Sequence, residues 1–234
     1  MAAPRPAPTI PDYGLDAPGW MFGMLLGGSV LLLVTPRVPL LVWPGLWTAF
    51  VGVVLVWSSR VGKHRLATRL LDGLALRGDE TVLDVGCGHG LLLVGAAKRL
   101  PRGRAVGVDL WSQRDQADNR PEATRANAAL EGVATRVEVR DGDMRKLPFA
   151  DASFDTVVSS LAIHNVPGTA ERDRAIREIA RVLRPGGRVA LLDIAHTRRY
   201  AHVLSAAGLD DVRLSRFLAA FFPPLRLVTG RKRA

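Results

Sequence analysis

Apolar and polar positions follow two different patterns along the chain. Two uncharged apolar runs, residues 18–34 and 40–57, come first. From Arg60 onward, short β-branched runs alternate with longer stretches in which charged residues separate apolar ones at helical spacing. Strands that alternate with helices indicate an α/β domain with a largely parallel sheet. We therefore divide the chain into a flexible arm (1–17), a transmembrane helical hairpin (18–59), an amphipathic linker helix (60–78) and a domain at 79–234.

The two apolar runs predict a helical hairpin that crosses a membrane. Each run is close to the shortest length that spans a bilayer as a helix, and the break between them contains Pro36 and Pro39. Small residues in the first run suit close helix packing, namely Gly23, Gly27, Gly28 and Ser29. The alternatives are a soluble helical pair buried in a dimer and a secretory signal peptide, which would leave the second run unexplained.

The charges that flank the hairpin predict its orientation. Basic residues begin at Arg60, directly after the second apolar run, and the positive-inside rule places that end in the cytoplasm. The expected location is the inner, cytoplasmic membrane, with the α/β domain facing the cytoplasm. The proline- and alanine-rich arm before the hairpin has no apolar period, which predicts an extended or disordered segment without chemistry.

A glycine-rich turn after the first predicted strand is the centre of the α/β domain. Residues 81–85 form a buried strand that ends with Asp84 and Val85, and Gly86, Gly88 and Gly90 follow before an apolar helix. Glycine lets a ligand approach the backbone. A dinucleotide site needs G-x-G-x-x-G, whereas this turn is G-x-G-x-G. A tight turn without a cofactor is the alternative at this point.

Later strands also end in acids. A second strand, residues 105–109, delivers Asp109 about twenty residues after the turn, where an acid can reach the hydroxyls of a ribose. A third strand, 136–140, is followed by Asp143, and a fourth, 152–160, leads to His164 and Asn165. The polar loop 111–120 is predicted to be a lid over cofactor or substrate.

Composition and charge limit the classes of function. The chain has 234 residues, a net charge of +10 and one cysteine, Cys87, which excludes an internal disulfide and a zinc site built from several thiolates. The basic excess favours anionic lipid, nucleic acid or an acidic substrate as a partner, although a solvated surface is more common. No nucleic-acid reading motif accompanies it, so no nucleic-acid partner is expected.

Four segments together resemble class I S-adenosylmethionine (SAM)-dependent methyltransferases. They are residues 81–90, the turn that contains Asp143 and Met144, the strand at 152–160 and the run Arg-Val-Leu-Arg-Pro-Gly-Gly-Arg-Val ending at Val189. The resemblance implies a Rossmann-like, seven-stranded sheet with an antiparallel C-terminal hairpin, and SAM as cofactor. It is closest to small-molecule methyltransferases that include quinone-biosynthesis enzymes, in which the turn after the fourth strand also ends in Asn-Val.

The resemblance also implies which residues form the site. In this family the glycine turn holds the methionine part of SAM, the acid at 109 holds the ribose, and the turn at 143 holds the adenine. The predicted cofactor-binding residues are Asp84, Gly86, Cys87, Gly88, Gly90, Asp109, Leu110, Asp143, Met144 and Ser160. The predicted substrate pocket contains His164, Asn165 and Trp111, with His164 as the candidate catalytic base. No metal is expected.

The expected function is transfer of a methyl group from SAM to a small, lipid-soluble acceptor at the membrane. The alternatives are a SAM-binding membrane sensor or scaffold without turnover, and a nicotinamide oxidoreductase. Expected partners are the acceptor and the membrane, and a homodimer is compatible with the sequence. The absence of Asn-Pro-Pro-Tyr after the fourth strand disfavours amino methylation of DNA, and the single cysteine disfavours arsenic methylation.

Overall fold

The computed structural model describes residues 9–16, 18–112, 116 and 118–234. The helices are α1 (Pro18–Val34), α2 (Val42–Trp57), α3 (Lys63–Gly73), α4 (Leu91–Lys98), α5 (Pro121–Leu130), α6 (Thr169–Val182) and α7 (Thr197–Ala206). The strands are β1 (Thr81–Val85), β2 (Arg104–Asp109), β3 (Val137–Asp141), β4 (Phe154–Ser160), β5 (Leu183–Asp193), β6 (Leu209–Leu214) and β7 (Arg226–Lys232).

The strands form one seven-stranded sheet in the order β3-β2-β1-β4-β5-β7-β6. The first five run parallel, and β7 pairs antiparallel with both β5 and β6. The predicted Rossmann-like methyltransferase sheet with an antiparallel C-terminal hairpin is therefore confirmed. The strand order reverses between β1 and β4, so the loops after these strands diverge and leave a crevice at their carboxyl ends.

Helices cover both faces of the sheet and bury one apolar cluster on each side. On one face, Leu66, Leu70 and Leu71 of α3 pack with the apolar side of α4. On the other face, Ile176 and Ile179 of α6 pack with α7. The amphipathic linker predicted at residues 60–78 thus contributes α3 to the core of the domain.

The helical hairpin is closely packed through glycine. A Cβ atom at Gly28 would lie 2.5 Å from the backbone nitrogen of Ala49, whereas a Cβ at Gly23 would meet nothing within 4 Å. Gly45 and Gly52 of α2 in turn face Leu32 and Leu25 of α1. Of the small residues predicted to support close packing, Gly28 makes the tight contact, and α2 adds two more. Pro44 lies in the first turn of α2, where proline is tolerated.

The outer surface of the hairpin is apolar and uncovered. The helix from Pro39 to Gly73 is 35 residues long and apolar enough to cross a membrane by length and composition, and α1 is a shorter apolar helix of 17 residues. Large apolar side chains of both helices are exposed: Trp20, Phe22, Leu26, Val30, Leu33, Trp43, Leu46, Trp47, Phe50, Val53 and Trp57. Isolated soluble domains rarely expose so much contiguous apolar surface.

The segment before the hairpin is held against the α/β domain over its described residues. Lys63 donates to the carbonyls of Tyr13 (2.9 Å) and Gly14 (2.6 Å) and lies 3.2 Å from the Asp16 carboxylate. Asn127 of α5 exchanges two hydrogen bonds with the backbone of Asp12. Residues 1–8 and 17 of the predicted arm lie outside the described residues. The part near the domain is thus anchored by specific hydrogen bonds.

Candidate active site

The glycine turn after β1 is shaped by backbone angles that favour glycine. Gly86, Gly88 and Gly90 all have positive φ, and Gly90 caps the start of α4. A Cβ at Gly86 would lie 2.3 Å from Cβ of Ala162, and one at Gly88 would lie 2.5 Å from Oε1 of Gln116. Side chains at these positions would push away the loops that surround the turn, so the alternation of glycines preserves the shape of the crevice.

Asp109, at the end of β2, is fixed by three donors. Its carboxylate accepts hydrogen bonds from the backbone N–H of Gly88 (2.9 Å) and of Trp111 (2.7 Å) and from the side chain of Asn119 (3.3 Å). Asn119 is buried, and its Oδ1 has no hydrogen-bond partner among the described residues. An oriented carboxylate beside an unpaired amide oxygen suits a ligand that presents hydroxyl groups, as a ribose does.

Asp84 and Cys87 lie in the buried wall below the turn. Burial raises the pKa of the Asp84 carboxyl to about 8, a backbone hydrogen bond from Leu93 opposes the shift, and nearby Asp109 adds to it. Burial likewise raises the pKa of the Cys87 thiol, so this cysteine is not an activated nucleophile. Cys87, the one cysteine of the chain, therefore forms part of the wall of the crevice.

The predicted adenine turn carries an ion pair that the sequence interpretation did not foresee. Arg145 holds the Asp143 carboxylate with its guanidinium, at 2.5 to 3.0 Å, and with its own backbone N–H. These hydrogen bonds lower the pKa of Asp143. The Asp143 side chain is thus ionised and held in one orientation, with Met144 beside it in the wall.

His164 follows β4 and faces a buried acid at the end of β5. Its Nδ1 lies 2.6 Å from Oδ1 of Asp193, a close contact that does not meet the alignment of a hydrogen bond. Asp193 is 1% exposed and also accepts from the His164 N–H (3.1 Å), the Ile194 N–H (2.8 Å) and the Tyr200 hydroxyl (3.2 Å). Burial and the Asp193 charge raise the pKa of Tyr200, which keeps the phenol protonated as a donor.

One cavity of about 800 Å³ joins these groups. It is lined by nine of the ten predicted cofactor residues, from Asp84 to Ser160, and by the predicted acceptor residues His164 and Asn165. Gly90 shapes the turn without lining the cavity. Trp111 of the predicted substrate pocket is not among the residues that line the cavity, and its indole N–H donates to Asp141 (2.6 Å).

The N-terminal segment and the loop after β2 close one side of this cavity. Gln116 accepts from the His89 N–H (3.3 Å) above the glycine turn and donates to the Tyr13 carbonyl (3.0 Å). Residues 113–115 and 117 of the predicted lid lie outside the described residues. His89 is buried, and its Nε2 has no hydrogen-bond partner among the described residues.

The cavity fits SAM together with a small acceptor. Ligand pockets usually measure ~300 to 1,000 Å³, so this volume is ample for two small molecules. The unpaired Asn119 and His89 atoms are available for polar contacts with a ligand, and His164 and Asn165 also line the cavity. The part of the chain that the structure describes holds no group of three or more His, Cys, Asp or Glu side chains placed to bind a metal.

Comparisons with known proteins show which proteins the α/β domain resembles. The family model described as "Methyltransferase domain" matches residues 83–191. The chain is 37% identical over 146 residues to the 27-O-demethylrifamycin SV methyltransferase of Amycolatopsis mediterranei, covering 62% of this chain and 48% of that protein. It is 36% identical over 135 residues to the ubiquinone/menaquinone biosynthesis C-methyltransferase of Dinoroseobacter shibae, covering 57% and 50%.

The solved structure of geranyl diphosphate methyltransferase in complex with SAM has the same fold, with a TM-score of 0.56 and 18% identity over 72% of this chain and 85% of that one. The chain spans about half the length of the two curated relatives. Residues 83–191 thus match a methyltransferase domain, and the chain shares the fold of a solved methyltransferase. The match begins at residue 83 and leaves the hairpin unaccounted for.

Proposed function

We propose, from the methyltransferase domain that the chain carries, that this protein is a membrane-anchored enzyme that transfers a methyl group from SAM to a small, lipid-soluble acceptor. The observation that carries the proposal is the cavity that joins the glycine turn and Asp109 to His164, which lies against the buried Asp193. A sensor that only binds SAM has no need of an acceptor site that places an imidazole beside a buried carboxylate.

The acceptor end of the cavity supports a role for His164 as a general base. SAM supplies an electrophilic methyl group on a sulfonium, and transfer depends mainly on aligning the nucleophile with that methyl. Asp193 lies against Nδ1 of His164, which leaves Nε2 as the nitrogen that can accept a proton from the acceptor. The acceptor then attacks as a stronger nucleophile, and the imidazolium is stabilised by the Asp193 carboxylate.

The uncovered hairpin supports attachment to a membrane. Its exposed side chains are apolar, and Arg60, Arg65 and Arg69 are exposed just beyond it. A cytoplasmic position of this basic flank is what the positive-inside rule predicts. The catalytic domain then faces the cytoplasm, where SAM is made.

The nature of the acceptor is supported by two relatives. One is named as a methyltransferase of 27-O-demethylrifamycin SV and the other as a C-methyltransferase of ubiquinone and menaquinone biosynthesis. These names describe those proteins, and their diversity leaves the methylated atom of this acceptor open. An enzyme held at a membrane is well placed for an acceptor that dissolves in lipid.

Two binding and activity measurements test the proposal. The detergent-solubilised full chain is titrated with SAM, S-adenosylhomocysteine and NAD, and is then incubated with methyl-labelled SAM and extracts of membrane lipid or cytosolic metabolites. We expect binding of both sulfur cofactors and label in the lipid extract. Binding of NAD alone would contradict the methyltransferase role, and SAM binding without any transfer would favour the sensor.

Membrane attachment is tested separately. We expect the protein to stay in the membrane pellet after washing with high salt and with alkaline carbonate, because the hairpin is held by apolar contact. Release by either wash would contradict a spanning anchor and favour the alternative of a helical pair that is buried in a dimer.

A further inference from the structure

The cavity has an apolar mouth at the base of the hairpin. Besides the cofactor and acceptor residues, it is lined by Trp20 from the start of α1, Leu55 from the end of α2, and Phe222 from the loop between β6 and β7. Trp20 is 70% exposed and Phe222 is 41% exposed, so this end of the cavity opens on an apolar surface. A mouth that serves only water-soluble metabolites has no need of such a rim.

The loop that supplies Phe222 is fixed to the hairpin base. We call residues 216–223 the aromatic loop. The Phe222 N–H donates to Ser58 Oγ at 3.0 Å, and the carbonyl of Ala220 lies directly against Gly62, with no space for a Cβ there. Phe221 is buried in the core, whereas Phe217 is 67% exposed. The aromatic loop therefore holds two exposed rings beside the end of the apolar hairpin.

One arginine lies over a ring of the aromatic loop and another lies over a ring at the end of the hairpin. The guanidinium of Arg226 lies 5.0 Å from the Phe217 ring, and that of Arg65 lies 5.9 Å from the Trp57 ring. No acidic residue occurs between residues 50 and 71 or after Asp211. An apolar surface that is continuous with a hairpin and rimmed by arginine suits the interface of an anionic lipid leaflet.

We propose that the acceptor reaches His164 sideways from the lipid, through the mouth between Trp20, Leu55 and Phe222, and that the aromatic loop inserts into the leaflet beside the hairpin. This inference rests on the proposed function and names its substrate class. The acceptor has an apolar tail that stays in the bilayer and a polar head group that extends to His164. The proposed SAM end of the cavity is at the glycine turn.

A labelling experiment tests the mouth without requiring turnover. Phe217→Cys and Phe222→Cys variants carry a nitroxide, and Ala129→Cys on the exposed surface of α5 is the control. The native Cys87 is buried and leaves the introduced thiols as the reactive ones. The variants are placed in nanodiscs of phosphatidylcholine and phosphatidylglycerol, and relaxation of each label is measured with oxygen, which dissolves in lipid, and with a nickel chelate, which stays in water. We expect oxygen to relax the labels at 217 and 222 more than the chelate does, and the chelate to relax the label at 129 more than oxygen does. Labels at 217 and 222 as open to nickel as the one at 129 would overturn the proposal.

A second experiment tests the route of the acceptor. Leu55→Trp fills the mouth, whereas Val53→Trp adds the same ring on the exposed face of α2. We expect Leu55→Trp to lose transfer of labelled methyl to lipid extract while both variants keep the wild-type affinity for SAM. Wild-type transfer by Leu55→Trp, or the same loss of transfer in Val53→Trp, would overturn the sideways route. Failure of the wild type to bind SAM would instead refute the proposed function, and the nitroxide labels would still decide whether the mouth faces lipid.

Discussion

Replacing Asp193 with asparagine tests whether His164 acts as a base. Each oxygen of this buried carboxylate serves two groups: Oδ1 lies near His164 Nδ1 and the Ile194 N–H, and Oδ2 accepts from the His164 N–H and the Tyr200 hydroxyl. An amide has only one oxygen. Whichever way the amide turns, its NH₂ group faces at least one N–H donor, of Ile194 or of His164, from which the carboxylate now accepts.

The size of the effect follows from this geometry. The amide oxygen can satisfy the His164 and Tyr200 donors at Oδ2 only if the NH₂ group faces His164 Nδ1, which would then have to be unprotonated. The proton would move to Nε2, the nitrogen that the proposed mechanism needs free. Loss of general-base catalysis typically slows a reaction ~10² to 10⁴-fold, so we expect a decrease in kcat of that order. Affinity for SAM should change little, because Asp193 does not line the cavity.

The assay is the initial rate of methyl transfer to lipid extract at saturating SAM, with SAM affinity measured by calorimetry. Nitrogen chemical shifts of the His164 ring report the tautomer independently of turnover. Tyr200→Phe is the matched control, since it removes one donor and keeps the carboxylate, and its rate should fall much less. A wild-type rate in Asp193→Asn, with an unchanged ring tautomer, would refute the role of His164 as an oriented base.

Three further predictions concern the cofactor site and the hairpin. Asp109→Ala should weaken SAM binding by about tenfold or more, because it removes an oriented, charge-assisted contact worth ~1.5 to 3 kcal/mol. Unchanged affinity in a SAM titration would contradict the predicted ribose contact. Burial raises the pKa of Asp84 to about 8, so between about pH 4 and pH 8 the folded state keeps a proton that the unfolded state has lost. The free energy of unfolding should therefore fall over this range by up to roughly 1.4 kcal/mol per pH unit. In chemical denaturation without SAM, Asp84→Asn should flatten this slope, and equal slopes for the variant and the wild type would show that Asp84 is ionised in the folded state. Gly28→Ala should destabilise the hairpin by about 1 to 3 kcal/mol through its clash with Ala49, whereas Gly23→Ala should be neutral or stabilising. Equal thermal unfolding of the two variants in detergent would contradict the helix packing.

The fold was predictable because its signals are local. Residues 81–85 are apolar except for Thr81 and Asp84 and end at glycines with positive φ, and Pro-Gly-Gly after α6 marks the end of that helix, at the irregular start of β5. These features do not depend on distant parts of the chain. The predicted helices and strands are accordingly found in the structure, with ends that differ by a few residues, as fraying ends commonly do.

The missed parts of the site depend on contacts between distant residues. Asp193 lies 29 positions after His164, and the parallel pairing of β4 with β5 brings the ends of these strands together. The acid at the end of β5 was visible in the sequence, but its partner could be identified only from that pairing. The segment at Asp12 to Asp16 is polar and lacks periodicity, so nothing local indicated that Asn127 and Lys63 would hold it.

The helix that leaves the hairpin does not end at the boundary of the domain. It continues from Val42 through a π-helical turn at Ser58–Gly62 into α3, whose leucines are part of the core of the domain. Over the 32 residues from Val42 to Gly73, at ~1.5 Å per residue, this rod is ~48 Å long. A tilt of the rod in a bilayer would therefore rotate the catalytic cleft by the same angle. In the proposed membrane-anchored state, the bilayer thickness that sets the tilt of long apolar helices would therefore also set the orientation of the cleft relative to the membrane.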